Sequence, residues 1–286
     1  MTNDKLPRLE TRAEESHKGD FGRLLIIGGS RGMGGAVSLA GKAALRSGAG
    51  LVTIATAGAC LDTVAALEPC YMTAALPCDS DGVIAFSASA VLDSLAEAAT
   101  VVACGPGMGR TPDIAAVVTR LYEQLSQVAV FDADALFAIA QRPACLGRPS
   151  GARILTPHQG EFARLINESS QTREKCEMAA VAFAAEHQVV LALKGHATLV
   201  TDGQRVFHNT TGNPGMATGG CGDVLTGLIT GLVGQGLGPF EAAQLGVHLH
   251  GAAGDLAAER LGEVSMTASD LIDELPQAFV RHRSAL

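Results

Sequence analysis

Short apolar runs alternate with longer segments of helical hydrophobic spacing between residues 23 and 200. Residues 35–47 carry apolar side chains at the helical period, directly after a first apolar run at 24–27. The other runs are too short for helices and are bounded by Gly, Pro or Asp; they lie at 51–55, 101–104, 128–131, 154–155 and 189–193. This alternation predicts an α/β fold in which helices cover both faces of a mostly parallel sheet.

The remainder of the chain follows a different pattern. Residues 198–200 and 205–208 flank Asp202-Gly203, a two-residue hairpin signal that predicts an antiparallel edge. From Gly222 onward the spacing is almost entirely helical. The stretch 142–152 is rich in Pro, Gly and Arg, but it is short enough for an ordinary loop. We therefore predict one domain over residues 1–286, with a polar N-terminal extension at about 1–20 and no fused second domain.

Composition removes several classes of function. The 286 residues include 21 basic and 29 acidic side chains, which give a net charge of −8, and no tryptophan. Such a chain lacks the basic surface and the aromatic rings that nucleic acid requires. It has no apolar run of about 18 residues to span a bilayer and no apolar targeting segment at its start. We therefore expect a cytoplasmic protein that contacts neither nucleic acid nor membrane.

The cysteines and two nearby histidines do not suggest a metal centre. Seven cysteines are scattered without a C-x-x-C pair, which favours small buried side chains over zinc ligands or disulfides. His248 and His250 lie two positions apart in a predicted helix, where side chains point to different faces. We expect both histidines to be structural.

A glycine-rich loop at 28–34 follows the first predicted strand and suggests a dinucleotide-binding dehydrogenase. The short-chain enzymes of that type need a Tyr-x-x-x-Lys pair, in which lysine lowers the pKa of the tyrosine. Neither Tyr71 nor Tyr122 has a lysine four positions later, and residues 53–57 hold no acid for a ribose. The dehydrogenase interpretation is therefore disfavoured, although the loop amides could still contact a phosphorylated ligand.

A second glycine-rich segment, residues 213–223, leads directly into an apolar helix. Glycines before a helix let successive N–H groups converge where the helix dipole favours an anion. The predicted anion hole consists of the amides of Thr218, Gly219, Gly220, Cys221 and Gly222. Asp223 would repel a phosphate there, so it is either a helix N-cap or a base that accepts a proton from an attacking hydroxyl. The glycine-rich context favours the base.

The run Gly220-Cys221-Gly222-Asp223 resembles the Gly-x-Gly-Asp signature of the ribokinase-like superfamily. Within it, the chain is most similar to the NAD(P)H-hydrate dehydratases, from about Lys18 to the last helix. The motifs that carry this resemblance lie at 34–36, 104–109, 156–161 and 213–223. It implies a ribokinase-like three-layer fold and a carbon–oxygen lyase that repairs nicotinamide nucleotides. In that reaction the hydroxyl of the S-epimer of hydrated NAD(P)H is phosphorylated, and phosphate then leaves to regenerate NAD(P)H.

The resemblance also implies roles for individual residues. Asp223 would be the catalytic base. The residues expected to contact the hydrated dinucleotide are Ala36, Gly107, His158 and Asp223. Those expected to contact ADP or AMP are Lys194, Gly195, His196, Ala197, Thr198 and Gly222. From the residues alone, Lys194 could instead be a solvated loop lysine, and Ala36 and Gly107 could serve packing and turn formation.

The implied cofactor is Mg²⁺. Residues 158–161 are similar to an Asn-x-x-Glu element that holds magnesium in related kinases, but His158 replaces the asparagine. Glu161 is therefore expected to reach magnesium indirectly, through water, unless it is only an exposed first-turn glutamate. Asp132 and Asp134 could fix a loop, contact magnesium indirectly or cap the helix that begins near Ala135.

The resemblance is to the bacterial form of the family, which implies ADP rather than ATP as phosphoryl donor. It also implies a separate NAD(P)H-hydrate epimerase and a homotetramer. The motifs do not indicate whether hydrated NADH (NADHX) or hydrated NADPH (NADPHX) is the preferred substrate. The principal alternative is a ribokinase-like, ATP-dependent kinase of a small alcohol such as a vitamin precursor or sugar. A non-catalytic nucleotide sensor would share the same anion hole.

Overall fold

A central sheet of nine strands organises the computed structural model, which describes residues 5–168 and 172–284. The strand order is β3-β2-β1-β4-β5-β6-β7-β8-β9. The strands are Arg23–Ile27 (β1), Leu51–Ala57 (β2), Met72–Leu76 (β3), Val101–Cys104 (β4), Val128–Phe131 (β5), Arg153–Leu155 (β6), Val190–Leu193 (β7), Leu199–Thr201 (β8) and Val206–His208 (β9).

Helices cover both faces of this sheet, since every residue of β4, β6 and β7 is buried. The α-helices of the described residues are Gly34–Arg46 (α1), Leu61–Leu67 (α2), Ser89–Glu97 (α3), Pro112–Gln124 (α4), Asp134–Gln141 (α5), Gln159–Leu165 (α6), Arg173–His187 (α7), Cys221–Gly234 (α8), Pro239–Leu261 (α9) and Ala268–Ser284 (α10). Helix α8 packs between α1 and α9 and lies over β1, β4 and β5. None of the helices among the described residues is long and apolar enough to cross a membrane.

The predicted α/β class is confirmed, with β1 to β7 parallel and β8 and β9 antiparallel. The two-residue turn predicted at the edge hairpin is wrong. Thr201 pairs with Val206, so four residues connect β8 and β9. The Asp202 carboxylate accepts the N–H groups of Gln204 and Arg205, which stabilises this longer connection. Strand β3 was not predicted, because its Met-Thr-Ala-Ala-Leu sequence has little apolar contrast.

The cysteine prediction holds for most positions, since five of the seven side chains are buried. Cys70 is exposed and Cys78 is half-buried, so these two do not behave as core residues. All seven cysteines are free.

The topology determines where the functional loops meet. Strand β1 lies between β2 and β4. From β1 the chain first adds β2 and β3 on one side, and it then crosses to the other side of β1 to add β4 and the later strands. Ligands of parallel α/β sheets bind at such a switch point, beyond the carboxyl ends of the strands. The loops that follow β1, β4, β5, β6 and β7 emerge at that edge, beside the first turn of α8.

Candidate functional site

A buried ion pair joins the ends of β5 and β7. Lys194 Nζ lies 2.7 Å from Asp132 Oδ1, and Asp132 is 1% exposed. The Thr226 hydroxyl, from α8, donates to Asp132 Oδ2 at 2.7 Å. Burial lowers the pKa of Lys194, but Asp132 and Glu161 outweigh it and hold that pKa above its ordinary value. Lys194 is therefore a charged, anchored side chain, and the solvated-lysine alternative is wrong.

Glu161 and His158 close the start of α6 in a reciprocal capping arrangement. The His158 N–H donates to Glu161 Oε2 at 2.8 Å, and His158 Nδ1 accepts the N–H groups of Gly160 and Glu161. Lys194 Nζ lies 3.8 Å from the same Glu161 oxygen. Burial raises the pKa of Glu161, partly offset by Lys194. The alternative of an exposed first-turn glutamate is wrong, because only 9% of Glu161 is exposed.

Asp223 occupies the third position of α8. The N-cap of this helix is Gly220, at φ +95°, so the interpretation of Asp223 as an N-cap is wrong. Burial and the neighbouring charge of Asp132 together raise the pKa of Asp223 to about 7, although Lys194 opposes them. A carboxyl group with a pKa close to neutrality can accept and release a proton under physiological conditions.

Small residues leave the loop before α8 open. Thr218 and Gly219 are exposed. A Cβ atom at Gly220 would lie 2.6 Å from Leu39 Cδ1, so this glycine serves packing, whereas one at Gly222 would lie 3.2 Å from Lys194 Nζ. The first N–H groups of a helix have no intrahelical acceptor, so Gly222 allows an anion to approach them closely beside Lys194.

His250, on α9, contacts the backbone of the first turn of α8. Its Nε2 lies 2.9 Å from the carbonyl oxygen of Cys221, the first residue of α8. Burial lowers the pKa of His250 to about 4. The ring is therefore neutral near pH 7 and can donate its Nε2–H to that carbonyl.

Ala36 and Gly107 come together in the loops after β1 and β4. A Cβ at Gly107 would lie 3.2 Å from that of Ala36 and 2.6 Å from the Met33 carbonyl oxygen. The Ser30 hydroxyl donates to the Gly107 carbonyl at 2.9 Å. Gly107, at φ +62°, thus serves the turn directly, and any contact with a ligand would be additional.

Asp134 fixes the loop after β4. Its carboxylate accepts the Gly109 N–H at 2.9 Å and Arg110 Nε at 2.8 Å. The N-cap of α5 is Ala133, which makes no side-chain cap, so the capping interpretation is wrong for both aspartates. Ala133 has φ +50° and ψ −118°, a strained conformation for a residue with a Cβ. Strain of this kind persists only where surrounding contacts enforce it.

The predicted nucleotide residues form the exposed turn after β7. Gly195 and His196 are exposed, and the Thr198 hydroxyl donates to the Gly195 carbonyl at 3.1 Å. Arg173, from the start of α7, donates to the carbonyls of His196 and Ala197. Neither Arg173 nor Thr226 was predicted as a site residue from the sequence. Thr226 had one signal, its position one helical turn after Asp223.

The described carboxylates do not form a direct metal site. No group of three His, Cys, Asp or Glu side chains in residues 5–168 and 172–284 is placed to hold an ion. Both oxygens of Asp132 already accept hydrogen bonds. Glu161 Oε1 lies 3.6 Å from His158 Nε2, beyond hydrogen-bond distance, so this oxygen could reach a hydrated ion through water.

Comparison with known proteins gives consistent matches over nearly the whole chain. A family described as NAD(P)H-hydrate dehydratase matches residues 24–277. The "Bifunctional NAD(P)H-hydrate repair enzyme Nnr" of Moorella thermoacetica is 47% identical over 277 residues, which cover 95% of this chain and 51% of that protein. The chain thus spans about half the length of the curated relatives it matches.

Solved structures agree with these matches. The ADP/ATP-dependent NAD(P)H-hydrate dehydratase of Bacillus subtilis, co-crystallised with ATP and Mg²⁺, is 31% identical with a TM-score of 0.80, covering 96% of this chain and 94% of that one. A ribokinase-like superfamily protein from Enterococcus faecalis is 28% identical with a TM-score of 0.82, covering 96% and 92%. The fold is therefore ribokinase-like, as predicted.

Proposed function

The chain belongs to the NAD(P)H-hydrate dehydratase family, and on that premise we propose that it dehydrates the S-epimer of hydrated NAD(P)H to NAD(P)H. The observation that carries the proposal is Asp223, whose pKa burial raises to about 7 beside an open glycine loop and Lys194. A base next to an anion hole suits phosphoryl transfer from a nucleotide to a hydroxyl group.

In the first step Asp223 accepts the proton of the substrate hydroxyl, and the oxygen attacks the β-phosphorus of ADP. The bond from that phosphorus to the bridging oxygen breaks, and AMP leaves. The amides of Thr218 to Gly222 would stabilise the charge on the transferred group. In the second step the carbon–oxygen bond breaks with loss of phosphate, and the neighbouring ring carbon loses a proton. The products are NAD(P)H, AMP and phosphate.

The substrate would lie along the loops after β1, β4 and β6. Ala36 and Gly107 offer small surfaces that a flat ring could approach, and they lie next to each other. The His158 side chain is 55% exposed beside the Glu161 carboxylate, so it could contact the dinucleotide. These roles rest on the motif resemblance and on the proximity of the three loops.

The nucleotide would lie on the turn formed by residues 194–198, with Gly222 opposite it. The Lys194 ammonium has three N–H groups, and Asp132 accepts one at 2.7 Å. A phosphate oxygen is a suitable acceptor for another. Gly222 would allow that contact, since its missing Cβ leaves the ammonium uncovered on one side.

Magnesium would arrive with the nucleotide. Mg²⁺ usually keeps several waters and is held by phosphates with one or two carboxylates, and it neutralises phosphate charge during transfer. Glu161 Oε1 is the carboxylate oxygen that fits a water-mediated contact. We do not expect Asp132 to bind the magnesium ion directly, because its two carboxylate oxygens already accept hydrogen bonds from Lys194 and Thr226.

We choose ADP over ATP as the donor on the motif resemblance. A related enzyme is named ADP/ATP-dependent, so both nucleotides belong in the test. A separate epimerase, a homotetramer, a single domain and a cytoplasmic location stay predictions.

The test follows the absorbance of reduced nicotinamide while purified protein and Mg²⁺ act on hydrated NADH, with ADP and ATP in separate cuvettes. We expect recovery with ADP and release of AMP and phosphate in equal amounts. Recovery with ATP alone would overturn the donor. No recovery with either nucleotide, despite measurable nucleotide binding, would overturn the proposal, and a stable phosphate ester formed from an added small alcohol would then identify a kinase.

A further inference from the structure

Arg173 is attached to the turn after β7 although it lies on a different element. It is the first residue of α7, and its two terminal guanidinium nitrogens donate to the carbonyls of His196 and Ala197, the latter at 2.5 Å. A planar guanidinium is well suited to hold two neighbouring acceptors at once. The two carbonyls belong to consecutive peptide units, so a single side chain determines the orientation of both.

The turn needs this support. Ala197 has φ +52°, a left-handed conformation that costs a residue with a Cβ about 1 kcal/mol. Gly195 and His196 are exposed, and the contact within the turn is the one between Thr198 and Gly195. A strained and exposed turn with few contacts of its own would otherwise populate several conformations.

The N–H and C=O groups of a trans peptide point in opposite directions. When Arg173 holds the His196 and Ala197 carbonyls, the N–H groups of Ala197 and Thr198 must point away from Arg173. The side of the turn opposite the guanidinium therefore presents two oriented donors. Oriented backbone N–H groups are a common way to bind phosphate oxygens.

A second layer of contacts fixes Arg173 itself. Its Nε donates to Glu177 Oε1 at 2.6 Å, and His208 Nε2 lies 3.1 Å from Glu177 Oε2. His208 is on β9, opposite Leu199, the residue that follows the turn. Burial raises the pKa of Glu177, but Arg173 and His208 outweigh it and keep that pKa below its ordinary value. The arginine is thus supported by a charged carboxylate that is itself attached to the sheet edge.

We propose that Arg173 is a positioning residue of the nucleotide site, which orients the N–H groups of Ala197 and Thr198 toward a nucleotide phosphate. The inference rests on the proposed function, in which this turn binds the nucleotide. Arg173 acts through the backbone and takes no part in the chemical step. Its removal therefore weakens nucleotide binding and leaves turnover at saturation intact.

The experiment compares Arg173→Ala, Arg173→Lys and Arg260→Ala with the wild-type chain. Arg260 forms two ion pairs with Asp270 and Glu274 on α10, so its replacement is a matched loss of an arginine. The readouts are KM for ADP, kcat at saturating ADP, KM for hydrated NADH, and the Kd of ADP by calorimetry. For Arg173→Ala we expect KM and Kd for ADP to rise about tenfold, with kcat and the other KM within about twofold. Arg173→Lys should fall between, and Arg260→Ala should match wild type.

Unchanged affinity for ADP in Arg173→Ala would overturn the inference, and so would parallel losses in kcat and both KM values. If Arg173→Ala does not fold, Arg173→Lys and Glu177→Gln decide, each with an expected rise of about threefold in the Kd of ADP. Calorimetry also separates the two proposals. Absent turnover in the wild-type chain would reject the proposed function, whereas the ADP affinities of the variants would still accept or reject the role of Arg173.

Discussion

The end of β5 and the start of α8 each carry an aspartate at the same edge of the sheet, in opposite settings. Asp132 accepts hydrogen bonds from Lys194 and Thr226, both at 2.7 Å, and is 1% exposed. Asp223 is half-buried, and within residues 5–168 and 172–284 no group donates a hydrogen bond to its carboxylate. Burial and the charge of Asp132 raise the pKa of Asp223 to about 7.

The difference separates an anchor from a reactive group. Two donors stabilise the charge of Asp132, so it can hold Lys194 in place. Asp223 lacks such donors, and the negative charge of Asp132 makes the ionisation of Asp223 less favourable. The first carboxylate therefore helps to set the pKa of the second. Burial that perturbs a pKa beside a charged partner is a common feature of catalytic groups.

The largest expected effect comes from removing the reactive carboxylate. Asp223→Asn keeps the shape of the side chain but cannot accept a proton, so we expect turnover to fall by about 10²–10⁴-fold. Nucleotide affinity should stay within a few-fold, because Lys194 and the turn after β7 are untouched. Coupled absorbance kinetics and calorimetry measure the two quantities.

The matched control is Asp93→Asn on α3, where the carboxylate pairs with Arg120. This variant removes a carboxylate away from the loops of the site, and its turnover should match wild type. Substantial residual activity in Asp223→Asn would show that Asp223 is not the base. The contrast between a reactive aspartate and an anchoring one would then be lost.

The next largest effect tests whether the backbone at Asp132, the residue that anchors Lys194, is held rigidly. Gly105 has φ +133°, and a Cβ there would lie 1.8 Å from the carbonyl oxygen of Asp132. Gly105→Ala must therefore displace the end of β5, and we expect a loss of about 3 kcal/mol in the free energy of unfolding. Denaturant titration measures this loss.

Gly147→Ala provides the control, because a Cβ there would have no heavy atom within 4 Å. It should change stability by less than about 0.5 kcal/mol. If Gly105→Ala were equally mild, the end of β5 would be more adaptable than the anchoring role of Asp132 requires.

Sequence could identify Asp223 but not the partners of Asp132. The α/β class followed from short apolar runs, and the loop before α8 followed from consecutive glycines next to an aspartate. These are local signals. The contacts of Asp132 are not local, since Lys194 lies 62 positions away and Thr226 lies 94 positions away. Those residues meet only because β5 and β7 lie two strands apart in the same parallel sheet and α8 packs over β5.

The same reason explains what the sequence left open at single residues. The sequence kept an exposed first-turn glutamate as an alternative for Glu161, because its contact with Lys194 comes from another strand and gives no local signal. Strand β3 was missed because its place at the sheet edge requires little apolar contrast in its sequence. The positive φ of Ala133 has no local signal in the sequence, since alanine rarely adopts it.

The smallest effect separates the two aspartates through pH. The pKa of Asp223 is about 7 in the folded chain against an ordinary value of 3.8. The folded state therefore binds the proton more tightly, and ionisation of Asp223 destabilises the fold as pH rises from about 4 to 7. Asp223→Asn removes this cost, so the variant should be more stable than wild type above pH 7, by about 1–2 kcal/mol. The difference should vanish below pH 4, as denaturant titrations at pH 4 and pH 8 can establish. An Asp223→Asn variant that is less stable than wild type at pH 8 would mean that the fold stabilises the charged carboxylate of Asp223, which would contradict its raised pKa.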